Sequence, residues 1–301
     1  MTRDAMRWTE GFIAVDWGTT NRRAYQLDGE GRLSDEMEDE CGILAVQPEA
    51  FPAAVEQIRA RMGPLPLLLG GMIGSNRGWV EAPYAPCPAG LGSLVQRLQW
   101  VEPDRVAIVP GVALDTADAA DVMRGEEMQM VGAAASGMIP ADALVCHPGT
   151  HNKWVRVEGG AITRFRTVMT GELFNLLKGH SILADFMREE VEPNAAFRRG
   201  VAQGLEHDDL TAELFSIRAR VLLGRASAAD AAPYASGLLI GTDLRVGLRM
   251  AGGDEEIIVM GRPELTSLYA AALECAGRTA GQVDGERAFI AGAVAIAKEL
   301  S

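Results

Sequence analysis

Two short segments of the sequence repeat one combination of residue types. Gly18-Thr19-Thr20-Asn21-Arg22 and Gly149-Thr150-His151-Asn152-Lys153 each follow a short apolar run and precede an alternating one, which predicts strand, tight turn and strand. Successive backbone N–H groups of a glycine turn bind anions, threonine hydroxyls add donors, and Arg22 and Lys153 add positive charge. The repeat predicts two related lobes whose turns together bind a polyphosphate. For either turn alone, a hairpin that only satisfies its own geometry is the alternative.

The residue before each turn differs in chemistry. Asp16 stands before the first turn, where His147 stands before the second. Because Mg²⁺ takes one or two carboxylates together with nucleotide oxygens and keeps most of its waters, Asp16 is the expected metal ligand, directly or through water. His147 and His151 have a spacing that suits a metal on a helix, but Pro148-Gly149 prevents a helix here, so no zinc site is expected.

A pair of glutamates opens a predicted helix between the two turns. Arg124-Gly125-Glu126-Glu127 precedes apolar residues at helical spacing. A glutamate in the first helical turn complements the helix dipole, which is the purely structural interpretation. Beside a phosphate site, the same carboxylate would be the general base that accepts the proton of an attacking hydroxyl. Adjacent helical residues project about 100° apart, so the two cannot flank one glycosidic bond as acid and base.

Two further segments are candidates for ligand binding. Residues 70–92 form a long loop rich in glycine and proline, and loops of this length inside a domain usually bind something. Its side chains able to hold a polar, anionic small molecule are Arg77, Trp79 and Glu81; a packed loop plugged by Trp79 is the alternative. Later, an apolar strand reaches Gly261 just before a helix, an arrangement that often receives a nucleotide but also occurs in ordinary αβ units.

Composition excludes several classes of function. The 41 acidic residues outnumber the 28 basic ones, which gives a formal charge of −13 and no basic stripe, so nucleic acid is not an expected partner. No apolar stretch approaches the roughly 20 residues that cross a bilayer, and the first residues lack the apolar core of a secretory signal. A cytoplasmic protein without membrane attachment is expected.

Six segments, taken together, resemble the 2-dehydro-3-deoxygalactonokinase family, a branch of the actin, hexokinase and Hsp70-like phosphotransferases. They are DWGTTN at 16–21, the loop at 70–84, RGEE at 124–127, PGTHNKW at 148–154, MTGELF at 169–174 and IIVMGRPEL at 257–265. The resemblance covers about residues 12 to 298. Six motifs in the same order are more specific than any one of them.

The resemblance implies an α/β fold with two ribonuclease H-like lobes of the actin and hexokinase type, each with a mixed five-stranded sheet flanked by helices, around a central cleft. The lobes are expected at residues 1–135 and 136–301, and the last helix is a candidate to pack back on the N-terminal lobe. The implied activity is transfer of the γ-phosphate of ATP, with Mg²⁺, to the 6-hydroxyl of 2-dehydro-3-deoxy-D-galactonate in galactonate catabolism.

Carried to this sequence, the resemblance assigns roles to particular residues. The first phosphate motif contains Asp16, Gly18 and Thr19, the second contains Gly149 and Thr150, and the adenosine motif contains Gly261. Glu126 matches the general base of related kinases, with Glu127 left as the alternative. The carboxylate and keto group of the substrate require a bidentate cation, for which Arg77 and Arg124 are candidates by chemistry rather than by a known family role.

Alternatives stay open at the level of sequence. The same fold can serve a nucleotide-driven ATPase or sensor instead of a kinase. Within kinases, the acceptor can be another sugar or another 2-keto-3-deoxy acid, since a single side chain can read the orientation of one hydroxyl. The oligomeric state is also open, with a homodimer as one option.

Overall fold

The computed structural model describes residues 7–300 and divides the chain into two compact units. The first unit contains the chain up to Asp142, the segment Val157–Arg164 and the chain from Gly285 onward. The second contains Ala143–Arg156 and Phe165–Asp284. The chain therefore returns to the first unit for its final helix, and the first change of unit falls a few residues after the predicted boundary at residue 135.

Within residues 7–300 the structure has fourteen strands and nine α-helices. The strands are β1 (Phe12–Trp17), β2 (Arg22–Leu27), β3 (Leu33–Asp39), β4 (Leu67–Gly71), β5 (Ala85–Pro86), β6 (Gln99–Glu102), β7 (Val106–Ile108), β8 (Val112–Thr116), β9 (Ala119–Met123), β10 (Ala143–His147), β11 (Asn152–Glu158), β12 (Ala161–Val168), β13 (Ile257–Gly261) and β14 (Ala280–Asp284). The helices are α1 (Phe51–Met62), α2 (Leu91–Val95), α3 (Glu126–Ala135), α4 (Thr170–His180), α5 (Ala195–Glu206), α6 (Leu210–Leu222), α7 (Ala231–Leu248), α8 (Pro263–Cys275) and α9 (Gly285–Glu299).

The first sheet has six strands in the order β3-β2-β1-β4-β7-β6. β1, β2 and β3 pair antiparallel, β4 and β7 continue parallel to β1, and β6 pairs antiparallel with β7. The predicted number of strands, five, is one fewer than the six strands of this sheet. β6 is additional to the five strands that the resemblance implies, and all four of its residues are half-buried.

The second sheet has five strands in the order β12-β11-β10-β13-β14, with β10, β13 and β14 parallel. In both sheets, three consecutive strands lie side by side, and two later strands add parallel to the first of them, β4 and β7 in the first sheet and β13 and β14 in the second. The predicted α/β class is confirmed, and the shared strand order is the one that a repeated strand-turn-strand unit predicts.

Each unit has its own apolar core. In α1, the buried residues Phe51, Val55, Ile58 and Met62 recur at helical spacing and pack in one cluster with the apolar residues of β1 and β4. A small sheet, in the order β5-β8-β9, precedes α3 in the same unit. α3 crosses α9 so closely that a Cβ at Gly132 would lie 2.2 Å from the backbone of α9.

α7 is buried along most of its length and forms the centre of the second unit. A Cβ at Gly237 would lie 2.1 Å from the Phe197 carbonyl of α5, and one at Gly241 would lie 2.3 Å from the Val201 carbonyl. The two glycines therefore let α5 and α7 pack backbone against backbone. No helix within residues 7–300, α7 included, is long and apolar enough to cross a membrane.

Candidate functional site

The first turn joins β1 to β2 and is braced by a neighbouring loop. The carbonyls of residues 18–20 accept hydrogen bonds from the N–H groups of residues 42–44 at 3.0 to 3.2 Å. Gly42 has no room for a side chain, because a Cβ there would lie 2.3 Å from the Thr20 backbone. Within residues 7–300, no backbone carbonyl accepts from the N–H of Thr19 or Thr20. The turn is fixed through its carbonyls, and two N–H groups keep their capacity to bind an anion.

The second turn joins β10 to β11 and is braced by the start of α4. The Glu172 N–H donates to the Thr150 carbonyl at 2.9 Å, and a Cβ at Gly171 would lie 2.4 Å from the Gly149 carbonyl. In the part of the chain that the structure describes, neither Gly149 nor Thr150 donates its N–H to a backbone carbonyl. A Cβ at Gly149 would meet no atom within 4 Å. This turn also presents N–H groups, and the space beside Gly149 is open.

Arg22 does not belong to a phosphate site. Its side chain is 3% exposed, and its Nη2 and Nε donate to the Asp39 carboxylate at 2.6 and 3.2 Å. The guanidinium lies 4.9 Å from the centre of the Trp17 ring. The prediction that Arg22 binds the nucleotide is therefore wrong, because a buried cation that a carboxylate already neutralises is not available to a phosphate. Arg22 instead ties β2 to the end of β3.

Lys153 holds the matching position after the second turn in a different way. It is 5% exposed, and its Nζ donates to the His151 carbonyl at 3.2 Å, so the ammonium folds back onto the turn. The same turn carries the His151 ring, whose Nε2 lies 2.5 Å from Glu172 Oε2. Because its charge lies at the turn, Lys153 remains a candidate for phosphate binding.

Two glycines bring Asp16 close to the start of α3 within the first unit. A Cβ at Gly71, the last residue of β4, would lie 3.3 Å from Asp16 Oδ1. A Cβ at Gly125 would lie 3.3 Å from the Gly71 Cα. Both glycines have positive φ, 89° and 108°, which side chains disfavour. The ends of β1 and β4 therefore lie beside the first residues of α3, so Asp16 and Glu126 share one corner of this unit.

The donor set at Asp16 fits magnesium that arrives with a nucleotide. Among residues 7–300, no group of three or more histidine, cysteine, aspartate or glutamate side chains could hold a metal ion. Mg²⁺ in kinases needs only one or two protein carboxylates, since phosphate oxygens and water complete its coordination. One partly exposed carboxylate at a strand end, as Asp16 is, meets that requirement.

The two glutamates at the start of α3 differ in burial and protonation. Glu127 is fully buried; its Oε2 accepts the Gly125 N–H at 2.7 Å, and its Oε1 has no hydrogen-bond partner among the described residues. Burial, and then the charge of Glu126, raise the pKa of Glu127 to about 8. Glu126 is half-buried, and its Oε2 accepts the Arg124 N–H at 3.2 Å. A pKa of about 8 leaves Glu127 mostly protonated at neutral pH.

Some N–H groups of the Arg124 guanidinium donate to no acceptor among the described residues. Its Nη2 donates to the Ala82 carbonyl at 2.8 Å, and the guanidinium lies 4.4 Å from the centre of the Tyr84 ring. Gly74 leaves room for it, because a Cβ there would lie 2.9 Å from Nη1. The Nε and Nη1 atoms are buried and have no acceptor among residues 7–300. A fixed guanidinium with two unused donors fits an anionic ligand rich in oxygen acceptors.

The three loop candidates are placed differently from one another. Trp79 packs against the core of the first unit, which favours the alternative of a plugged loop, and its backbone N–H donates to the Ile73 carbonyl at 2.9 Å. Arg77 and Glu81 are exposed, and their side chains make no hydrogen bond or ion pair within the described chain. Arg77, Trp79 and Glu81 therefore stay predictions for the sugar-acid site.

Gly261 lies beside the second turn. β13 runs parallel to β10 and ends at Gly261, where a Cβ would lie 3.7 Å from Pro148. α8 follows, with Pro263 at its first position, where the missing N–H costs nothing. The predicted adenosine motif and the second phosphate turn are therefore neighbours within the second unit.

Asp243 is a buried carboxylate that the sequence pattern did not predict. It lies in α7, is 1% exposed, and accepts hydrogen bonds from four side chains. These are Asn152, Trp154, Thr170 and Tyr269. The sequence signal was a single aspartate in a mostly apolar helix.

The chain matches known proteins along nearly its whole length. A profile of the 2-keto-3-deoxy-galactonokinase family matches residues 16–296. The 2-dehydro-3-deoxygalactonokinase of Escherichia coli (strain K12) is 34% identical over 291 residues, which are 96% of this chain and 98% of the relative. A protein of Rhizobium meliloti (strain 1021) assigned the same name is 36% identical over 298 residues, 96% of this chain and 97% of the relative.

One solved structure shows the same relationship, and a second shares the fold. A crystal structure of a protein assigned as a 2-dehydro-3-deoxygalactonokinase from Sinorhizobium meliloti has a TM-score of 0.89 at 34% identity and covers 96% of this chain and 99% of the other. The activator of 2-hydroxyisocaproyl-CoA dehydratase from Clostridium difficile, solved with ADPNP, has a TM-score of 0.51 at 10% identity, with 96% and 95% covered. That second likeness concerns the fold alone.

Proposed function

This chain belongs to the 2-keto-3-deoxy-galactonokinase family, and we propose that it transfers the γ-phosphate of ATP to the 6-hydroxyl of 2-dehydro-3-deoxy-D-galactonate in galactonate catabolism. The protein is a carbohydrate kinase. The observation that supports the reaction most is the pair of glycine–threonine turns. They end equivalent strands of the two sheets and present N–H groups without a backbone acceptor in the described chain. We also place the reaction in the cytoplasm.

In this proposal each of the two turns binds phosphate oxygens of ATP. The N–H groups of residues 19–20 and of residues 149–150 are the donors, and the threonine hydroxyls add neutral hydrogen bonds. Lys153 contributes the positive charge of the second turn. Gly261, next to that turn, would admit the adenosine because it carries no side chain.

Asp16 is the proposed ligand of Mg²⁺, directly or through water. Bound magnesium supplies positive charge to the phosphate oxygens. The place of Asp16 at the end of β1, against the backbone of Gly71, keeps its carboxylate at the corner where α3 begins. The metal ligand and the proposed base thus come from neighbouring elements of one unit.

Glu126 is the proposed general base. We prefer Glu126 to Glu127 for this role, because Glu127 is fully buried and burial raises its pKa to about 8, so that it is mostly protonated at neutral pH. The Glu126 carboxylate accepts the proton of the 6-hydroxyl as that oxygen forms a bond to the γ-phosphorus. The bond from the γ-phosphorus to the bridging oxygen breaks, and ADP leaves. Glu127 holds the Gly125 N–H and so fixes the start of α3.

Arg124 is the proposed partner of the substrate carboxylate. Its guanidinium is held by the Ala82 carbonyl and the Tyr84 ring, so little side-chain freedom is lost when a ligand binds. Its two unused donors would otherwise stay buried without acceptors, which is unfavourable. Arg77 and Glu81, on the exposed part of the loop after β4, would add contacts to the rest of the sugar acid.

A kinase assay against a panel of aldonic and 2-keto-3-deoxy acids, with ATP and Mg²⁺, tests the proposal. We expect 2-dehydro-3-deoxy-D-galactonate to give the highest kcat/KM and ADP release to depend on it. Arg124→Met should lower kcat/KM for the sugar acid by about tenfold to hundredfold, since it removes charge-assisted hydrogen bonds. The KM for ATP should not change. ADP release at the same rate without any sugar acid would show an ATPase and contradict the proposal.

A further inference from the structure

A single buried carboxylate joins the segments around the second turn. Oδ1 of Asp243 accepts from Asn152 Nδ2 at 3.1 Å and from Trp154 Nε1 at 2.7 Å. Oδ2 accepts from Asn152 Nδ2 at 2.9 Å, from Thr170 Oγ1 at 2.6 Å and from the Tyr269 hydroxyl at 2.5 Å. Four side chains from three other elements therefore converge on one carboxylate in α7.

The partners of Asp243 are the residues next to the proposed nucleotide site. Asn152 begins β11 directly after the second turn. Thr170 begins α4, whose first backbone groups pack against that turn. Tyr269 lies in α8, the helix that follows the adenosine motif. Three elements around the turn and the motif, β11, α4 and α8, are thus bonded to the same side chain.

Burial of this carboxylate is unfavourable in free energy, so its hydrogen bonds must be kept in the folded protein. Burial raises the pKa of Asp243, and the hydrogen bonds from Thr170 and Tyr269, then from Trp154 and Asn152, oppose that rise. A displaced segment would leave both a donor and part of the carboxylate unsatisfied away from water. The network therefore restricts the relative positions of β11, α4 and α8 more than apolar packing would.

We propose that Asp243 is a positioning residue for ATP, which holds Asn152 and Thr170, and through them the turn at residues 148–151, in the arrangement that binds phosphate. This inference rests on the proposed function, since it needs that turn to bind the nucleotide. Asp243 acts through its partners and is not itself a ligand of ATP. Its loss should affect ATP binding and spare the sugar acid, whose proposed contacts lie in the first unit.

Asp243→Ala removes the acceptor of all five hydrogen bonds. We expect the KM for ATP to rise at least about tenfold while the KM for the sugar acid stays within about twofold. Asp243→Asn should give a smaller rise, because the hydroxyls of Thr170 and Tyr269 can turn to accept from the new amide. Thr170→Val, which deletes one donor beside the turn, should raise the KM for ATP by about threefold.

Val201→Ala is the matched control for lost stability, because Val201 lies in the apolar core of the same unit. We expect it to lower Tm and to leave both KM values unchanged. A merely structural Asp243 would behave in the same way, with kcat falling only as the folded fraction falls. If Asp243→Ala does not fold, the KM for ATP of Asp243→Asn and of Thr170→Val distinguishes a positioning role from a merely structural one. An unchanged KM for ATP in these folded variants overturns the proposal.

Gly149→Ala separates failure of this inference from failure of the proposed function. The added methyl would meet no atom within 4 Å, so the variant should fold, yet the methyl occupies the space proposed for phosphate. If Gly149→Ala weakens ATP binding and the Asp243 variants do not, the positioning role alone is wrong. If neither change affects ATP binding, the turn does not bind the nucleotide and both proposals fail.

Discussion

The two glycine–threonine turns share a sequence pattern but are supported by opposite charges. Behind the first turn the buried ion is a cation, Arg22, which Asp39 neutralises. Behind the second turn, in addition to Lys153, an anion is buried: Asp243, which neutral donors satisfy. In both cases two N–H groups of the turn have no backbone acceptor in the described chain, those of Thr19 and Thr20 in the first turn and those of Gly149 and Thr150 in the second. The repeat therefore preserves the backbone turn and not the charge that holds it.

The turns also differ in their neighbouring chemistry. The first has Asp16 and, through Gly71, the glutamates of α3 nearby. The second has Lys153 and the start of α4, and no carboxylate stands at position 147. Substitutions near the first turn should therefore act mainly on kcat and on magnesium dependence. Those near the second turn should act mainly on the KM for ATP.

Glu126→Gln should have the strongest effect, because an amide cannot accept the proton of the 6-hydroxyl. We expect kcat to fall by about 10²–10⁴-fold with ATP binding nearly intact, measured by steady-state kinetics and calorimetry. Glu127→Gln is the matched control, since Glu127 is already neutral at pH 7 and should lose less than about tenfold. Equal losses in the two variants, or a loss in the control alone, would contradict the assignment.

Asp16→Asn tests the proposed role of Asp16 as the magnesium ligand. We expect kcat/KM to fall by about 10²-fold at a fixed magnesium concentration and to recover in part as magnesium rises. His147→Asn, at the matching position before the second turn, should leave the magnesium titration unchanged. A titration of Asp16→Asn that follows the wild type would remove Asp16 from the metal site.

Substitutions of Arg22 and Lys153 test whether the two cations of the repeat have different roles. Lys153→Met should raise the KM for ATP by about tenfold, because it removes a charge at the turn. Arg22→Met should leave that KM unchanged and destabilise the protein by about 3 kcal/mol, because Asp39 loses its buried partner. Kinetics and thermal unfolding separate the two effects, and the reverse pattern would refute the distinction.

The smallest expected effect is a pH dependence of stability that comes from Glu127. Its pKa lies near 8 in the folded protein and near 4.5 as an ordinary glutamate, so the unfolded chain binds fewer protons between these values. Folding stability should therefore fall as pH rises through this range, by up to about 1.4 kcal/mol per pH unit. Arg124 and Glu126 are the charged groups beside it. Thermal unfolding of Glu127→Gln between pH 6 and 9 should lack this slope; an unchanged slope would assign it elsewhere.

The turns could be predicted from the sequence because their chemistry is local. Gly149 and Thr150 are adjacent in the chain, and the strands around them have clear apolar patterns. Arg22 was misassigned because its partner Asp39 lies 17 residues away in β3, and a cation beside a turn has the same sequence pattern whether or not it is neutralised.

Asp243 could not have been predicted, since its role depends on long-range contacts. Its donors lie 26 to 91 residues away in the chain, in elements that only the fold brings together. The choice between Glu126 and Glu127 likewise depends on burial, which two adjacent glutamates do not reveal in a sequence. Local backbone features were predictable, and the electrostatics of buried side chains were not.

A crystal structure with Mg²⁺ and a non-hydrolysable ATP analogue is the decisive measurement for phosphate binding by the two turns. We expect phosphate oxygens of one nucleotide within about 3.2 Å of the N–H groups of Thr19 or Thr20 and of Gly149 or Thr150. A nucleotide whose phosphates contact only one of the two turns, or neither, would contradict the proposal that both turns bind it.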